Sequence, residues 1–286
     1  MSISTYTERP IAKAGETDGL SVPWSRPKPK RAAVSARLVS AITILILLAA
    51  WAVSAELKLV SPVFLPSPAA VWAKFVVVAR DGFVDATLLE HITASLWRVF
   101  AALIAAILVG VPVGLAIGIS RIGRGVFDPL LEFLRPIPPL AYLPLIVIWF
   151  GIDELSKVLL IYLACFAPLA MSARSGVRSV SQEQIHAAYS MGATKQQVIR
   201  HVVVPAAMPE ILTAMRIAIG FGWTTLVAAE MVAANKGLGQ MVLNASNFLR
   251  TDIVIMGIIV IGAVAYLFDL LMRYVEHLVV PWKGKV

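Results

Sequence analysis

Apolar residues run along this chain in blocks separated by short charged segments. Six blocks have the length and composition of bilayer-crossing helices: 38–55, 99–119, 136–150, 157–173, 211–234 and 253–272. A helix needs about 20 mostly apolar residues to cross the hydrocarbon core. The third block is short and holds Pro136, Pro138, Pro139 and Pro144, so it crosses only as a broken helix whose freed backbone groups find partners inside the protein. Ahead of the second block, Leu65-Pro-Ser-Pro68 precedes Val71, Trp72, Phe75 and Val76. This predicts a short amphipathic helix with Ser67 as N-cap and Pro68 as first residue, its aromatic face at the outer interface. The first 37 residues carry seven basic side chains and no apolar run, and read as a disordered arm. Val53-Ser54-Ala55 looks like a signal cleavage site, but so long a polar lead favours an uncleaved anchor. The expected fold class is an all-α membrane protein with six transmembrane helices.

Composition agrees. Of 286 residues 59% are hydrophobic and only 15% charged, and the mean hydropathy is +0.82. A soluble chain carries roughly 25% charge, so the excess apolar surface faces lipid. With the amino terminus inside, 18 of the 25 basic residues fall in cytoplasmic segments. That asymmetry places both termini in the cytoplasm. The chain then divides into a cytoplasmic arm (1–37), a first span (38–55), a periplasmic connector (56–98), a core (99–275) with a cytoplasmic loop at 181–205, and a cytoplasmic tail (276–286). The net charge of +8 reflects this orientation rather than a nucleic-acid surface. A lone Cys165 excludes a disulfide framework or a CxxC site. His91 is expected in an outer loop and His186, His201 and His277 in cytoplasmic segments, so the histidines converge on no metal or catalytic site. There is no Walker A loop and no nucleophile elbow, so no catalytic residue and no cofactor is assigned to this chain.

The most informative stretch is 181–205. Ser181 with Gln184, and Thr194 with Gln197, have the spacing of capping boxes, which predicts two short helices. Gly192 suits a left-handed C-cap after the first, and Pro205 is expected to stop the second. Ile185, Ala188 and Tyr189 form one apolar stripe, and Val198, Ile199, Val202 and Val203 another. Spacing alone equally allows an amphipathic connector lying on the bilayer.

Ala187-Ala188, three residues, Gly192, then Val202, Val204 and Pro205 resemble the EAA loop of ABC importer permeases, with His186 where the family usually has Glu. The resemblance extends over roughly 65–282. It rests on Leu65-Pro-Ser-Pro68, Ser95-Leu-Trp-Arg98, Gly114-Leu-Ala-Ile-Gly118, Arg135-Pro-Ile-Pro-Pro-Leu-Ala-Tyr-Leu-Pro144, Trp149-Phe-Gly-Ile152, Phe166-Ala-Pro168, Gly222-Trp-Thr-Thr-Leu-Val-Ala-Ala-Glu230 and Gly237-Leu-Gly239. The set is similar to the nitrate, sulfonate, taurine and bicarbonate branch, and most similar to taurine permeases. The resemblance implies a type I importer permease fold. It also implies a homodimer, two ATPase subunits that bind ATP and Mg, and a periplasmic solute-binding protein. Gln184, His186, Ala187, Ala188, Gly192, Ala193, Val202 and Pro205 would then form the coupling helix docked on an ATPase, with the usual acidic pairing altered at His186.

Ionisable groups at membrane depth are functional candidates by default. They collect in the fifth block: Glu210, Arg216 and Glu230. In one reading Arg216 snorkels to the inner interface and Glu230 caps a helix break. In the other the block lines a pathway through Arg216, Trp223, Thr224 and Glu230, with Arg216 offering charge to an anionic sulfonate; Trp223 also suits plain packing. Gly110, Gly114 and Gly118 form a small-residue row read as a helix contact. An ion-coupled secondary transporter is the competing class, but it usually shows inverted repeats and chains of buried charge. A permease for nitrate, bicarbonate or another small anion is the competing substrate class.

Overall fold

The computed structural model describes residues 35–282. The arm expected over 1–37, save its last three residues, and the last four residues of the tail lie outside the described residues. The chain divides into two units, Met1–Leu48 and Ala49–Val286. Helix α1 (Ala36–Glu56) starts in the first and ends in the second. The second unit continues with α2 (Pro68–Asp81), α3 (Leu88–Ile119), α4 (Arg121–Leu134), α5 (Leu143–Phe150), α6 (Glu154–Arg178), α7 (Gln182–Ser190), α8 (Lys195–Val198), α9 (Val204–Ala233), α10 (Leu238–Asn247) and α11 (Thr251–Val279).

Among the described residues, five helical segments are long and apolar enough to cross a membrane. The sixth crossing is a bent pair: α4, then a break, then Pro139–Phe150 turned by 92°. The span expected over 136–150 is therefore only the second limb of a broken one. Alone, α5 rises about 12 Å at 1.5 Å per residue, too little for a bilayer. Pro136, Pro138 and Pro139 prevent α4 from continuing, and a single 3-10 turn at Pro139–Tyr142 restarts the helix.

Helix α3 begins well before the expected block. Thr87 accepts from the Glu90 amide at 3.2 Å while the Glu90 carboxylate accepts from the Thr87 amide at 2.8 Å, a full capping box. This start moves His91, Ser95 and Arg98 from an outer loop into a helix, where all three are buried. Helix α2 matches expectation: the Ala70 amide donates to Ser67 at 3.2 Å, Pro68 opens the helix, and Trp72 stacks on Phe75 at 5.3 Å with its ring exposed.

The second unit is cored by α3, α6 and α9. Val99, Ala106, Ile161, Leu169, Ala218 and Leu226 pack together, closed by Phe268 of α11. Gly110, Gly114 and Gly118 set α3 against α6: a Cβ at Gly114 would overlap the Ala170 carbonyl, and one at Gly118 the Val177 side chain. The small row is a packing stripe, as expected. A second cluster joins α2, α10 and α11 through Val71, Val78, Leu238, Met241, Ile253 and Met256.

Gly114→Val should force α3 and α6 apart. Overpacking of this kind costs about 1–3 kcal/mol, so the thermal midpoint of the detergent-solubilised protein should fall. Gly125→Val, where an added Cβ meets nothing within 4 Å, should leave it nearly unchanged.

Candidate functional site

Residues 181–205 fold as two short helices, α7 and α8, joined at Gly192 with φ +83. Only one of the two expected capping boxes is complete. Thr194 accepts from the Gln197 amide at 3.4 Å and Gln197 accepts from the Thr194 amide at 2.8 Å; Ser181 accepts from the Gln184 amide at 3.2 Å without a reciprocal bond. Ala188, Val198 and Val203 are buried, with Ile185, Ala193 and Val202 packed around them, and the cluster rests on Ile119 at the end of α3 and Val177 of α6. Gln184, His186, Ala187 and Gly192 are exposed. Tyr189, expected on the apolar stripe, is 45% exposed, and Met191 at the turn 83%. The unit thus buries one face against the membrane helices and presents the other.

Pro205 does not stop the second helix. Ile199–Val203 form a π turn, and Lys195–Ala233 is one helical segment of 39 residues with Pro205 in the first turn of α9. A proline is accepted there because the wider turn relieves the clash with the preceding carbonyl, and its missing N–H falls where the hydrogen-bond register changes.

Helix α9 has two faces. Thr213, Ile217, Phe221 and Thr224 form an exposed stripe at helical spacing, with Gly220 beside them. Of the four residues expected to line a pathway, Thr224 alone lies on it, its hydroxyl donating to the Gly220 carbonyl at 3.1 Å. Arg216 turns instead to α11, pairing with Asp269 at 3.0 Å and Glu276 at 3.5 Å, while Asp269 also holds Arg273 at 2.8 Å. Trp223 is 6% exposed and meets Phe268 edge-on at 6.2 Å. Glu230 is fully buried. At the periodicity of a helix these three share a flank distinct from the stripe, on which Trp223 and Glu230 are buried and Arg216 is half-buried.

Nor is buried charge confined to α9. At the end of the bundle away from α7 and α8, Arg98 of α3 donates from one terminal nitrogen to Glu230 and to the Lys236 carbonyl, each at 2.7 Å. Its Nε and other terminal nitrogen grip Glu154 of α6 at 2.6 and 2.8 Å. Buried Lys157 reaches the same carboxylate at 2.7 Å. Ser95 donates to Glu230 at 2.7 Å and accepts from the Leu238 amide at 3.0 Å. The Gly239 amide donates to Glu230 at 2.8 Å, and the Gly237 amide to His91 Nδ1 at 3.1 Å. His91 Nε2 therefore carries the proton and donates to the Phe83 carbonyl at 3.0 Å. Together His91, Ser95 and Glu230 satisfy the first amides of α10, which a helix leaves without internal partners. Gly237 has φ +145 and a Cβ there would strike the Glu230 carboxylate, so the Gly237-Leu-Gly239 run is a requirement of this contact. The sequence reading missed the cluster because Arg98 and His91 lie outside the apolar block. The signal was the spacing of Thr87 to Glu90, which starts the helix, and of His91, Ser95 and Arg98, which share one face. No group of three or more His, Cys, Asp or Glu arranged for a metal occurs among the described residues.

Residues 106–280 match the family described as binding-protein-dependent transport system inner membrane component. The chain is 54% identical over 245 residues, 85% of its length and 89% of the relative's, to the taurine transport system permease protein TauC of Escherichia coli K12. It is 32% identical to a putative aliphatic sulfonates transport permease, SsuC of Bacillus subtilis 168, covering 84% of this chain and 85% of that one. Among solved structures, an inward-facing form of the MetNI methionine ABC transporter aligns with a TM-score of 0.60 at 20% identity, covering 67% of this chain and 95% of that one.

Removing one partner of a buried ion pair leaves a charge uncompensated and costs about 3–5 kcal/mol, whereas replacing both with apolar groups is often neutral. Arg98→Met and Glu230→Leu should each lower the thermal midpoint strongly. The double variant should fall by clearly less than the two losses added, the coupling being read from the full cycle.

Proposed function

This chain belongs to the binding-protein-dependent transport system inner membrane components, the permease subunits of ABC importers, and from that premise we propose that it carries taurine or a closely related small sulfonate into the cell. The observation that carries the substrate is the likeness to the taurine permease over most of both chains. A multi-pass inner membrane subunit of this kind works with ATPase and binding-protein partners and has no chemistry of its own.

In this reading two copies of the chain form the pathway, and their exposed α9 stripes are its walls. Two ATPase subunits bind ATP and Mg on the cytoplasmic side, a periplasmic binding protein delivers the solute outside, and both termini are cytoplasmic. The exposed face of α7 and α8, with Gln184, His186, Ala187 and Gly192, meets the ATPase; Ala188, Ala193 and Val202 bind the loop to Ile119 and Val177. The continuity of α8 with α9 supports the transmission: a displacement of the docked loop moves α9 as a rod. ATP shifts the permease between states only if the loop has different contact energy in each.

The test is taurine uptake into vesicles holding the permease with its ATPase and binding protein. Uptake should require ATP and be competed by other short sulfonates more strongly than by nitrate or bicarbonate. ATP-independent uptake, or preference for the inorganic anions, overturns the assignment.

Gly192→Val should uncouple the complex. An added Cβ at Gly192 meets nothing within 4 Å, so the cost is backbone strain alone, of order 1–2 kcal/mol for a branched residue at positive φ. Membrane insertion should be normal and ATP-driven uptake should drop several-fold. His186→Ala, exposed and without structural contacts to lose, should reduce it much less.

A further inference from the structure

Arg216, the cation expected to meet an anionic solute, is spent on α11. A different arginine is not. Arg135 follows α4 at the break in the bent span, and among the described residues it makes no ion pair. It stands at a cleft of about 400 Å³ enclosed by the break, α6 and the open side of α9. That volume lies within the usual range of small-molecule sites, roughly 300–1,000 Å³. The wall runs along α6 from Leu163 to Ser172, the middle of a helix that spans Glu154–Arg178, so the cleft is at membrane depth. Arg135, counted as cytoplasmic in the charge asymmetry, is exposed and lines the same cleft.

Three features of the lining go together. The apolar part is formed by Leu163, Phe166 and Phe221, with Phe221 on the exposed stripe of α9. Two hydroxyls share the cleft with the guanidinium, Ser172 and Tyr142. The Tyr142 hydroxyl is inaccessible to solvent and has no hydrogen-bond partner, although a buried hydroxyl costs free energy unless it is paired. The Arg135 guanidinium is exposed at the cleft and has no counter-charge among the described residues. A compact oxyanion with a short apolar body supplies what each group lacks: a counter-charge for Arg135 and, once Tyr142 turns toward the cleft, an acceptor for its hydroxyl.

We propose that this cleft is the transient binding site for the transported sulfonate, Arg135 supplying the charge, Tyr142 a donor hydroxyl, and Phe166 and Phe221 the seat for the alkyl body. A guanidinium presents several fixed donors to a tetrahedral oxyanion, whereas an ammonium gives a single point of charge. The assignment rests on the sulfonate reading above and adds to it a location in the chain. Arg216, in contrast, is a strut between α9 and α11.

The experiment uses the complete importer in vesicles, with taurine as the probe and two readouts: uptake, and the stimulation of ATP hydrolysis by taurine-loaded binding protein. Arg135→Gln should lower uptake at least tenfold while stimulation stays within about twofold of wild type, because the coupling loop is untouched; Arg135→Lys should recover part of the loss. Tyr142→Phe, which removes one hydroxyl and no volume, should raise the half-saturating taurine concentration severalfold. Phe221→Trp, which narrows the cleft, should depress uptake of butanesulfonate more than of methanesulfonate. Wild-type uptake in Arg135→Gln overturns the proposal, as does an equal loss of uptake and stimulation in Arg135→Gln together with an unchanged half-saturation in Tyr142→Phe. A wild-type complex that takes up no sulfonate at all fails the substrate reading itself, a result distinct from any of these.

Discussion

The Glu230 carboxylate is the point on which the half of the second unit remote from α7 and α8 depends. A fully buried carboxylate is tolerable only with a countercharge and enough donors to replace water. Here Arg98 supplies the charge, and Ser95 and the Gly239 amide the remaining bonds. The donors come from α3 and from the start of α10 while the carboxylate belongs to α9, so satisfying it fixes α3 against α9 and both against the start of α10. Arg98 extends the constraint to the N-terminus of α6 through Glu154. Loss of any of these contacts leaves a charged or polar group stranded in a dry site, and that gives the arrangement its rigidity.

The half that carries α7 and α8 is held differently. Close contact of α3 with α6 depends on small residues and dispersion, and ion pairs join further helices: Arg174 of α6 to Asp128 of α4, and Arg216 of α9 to Asp269 of α11. The coupling unit rests there on an apolar face at the ends of α3 and α6. The π turn joins α8 to α9 without a break, and the far end of α9 is anchored at Glu230. In the proposed importer this geometry makes α9 a lever fixed at the outer side and driven from the inner one, with its exposed stripe sweeping the space between two copies.

Much of this was legible in the order of residues. Hydrophobic blocks separated by charge require membrane helices, since nothing else satisfies the backbone in lipid. Cap chemistry is local, and Ser67 with Pro68, and Thr194 with Gln197, started helices where their spacing said they would. Gly192 took positive φ because a turn between two helices needs it and the next residue types allow no cheaper solution. The family was readable too, because its motif residues stand in a fixed order along the chain.

What the tertiary structure alone decided was which neighbour each polar group meets. Hydropathy averages over a window, so it placed Arg98 and His91 outside a membrane helix, though a buried partner makes a charged residue as admissible as an apolar one. It also could not show that Arg216, Trp223 and Glu230 turn toward α11 and α3 while Thr224 and Phe221 turn away, since helical periodicity gives a shared face but not what covers that face. Pro205 reads as a stop in one dimension and is accommodated by a π turn in three. Arg135 and Arg216 are equivalent as letters, each a basic residue beside an apolar stretch. Only the fold brings Asp269 to one and an open cleft to the other, because ion pairing depends on distances between segments far apart in the chain.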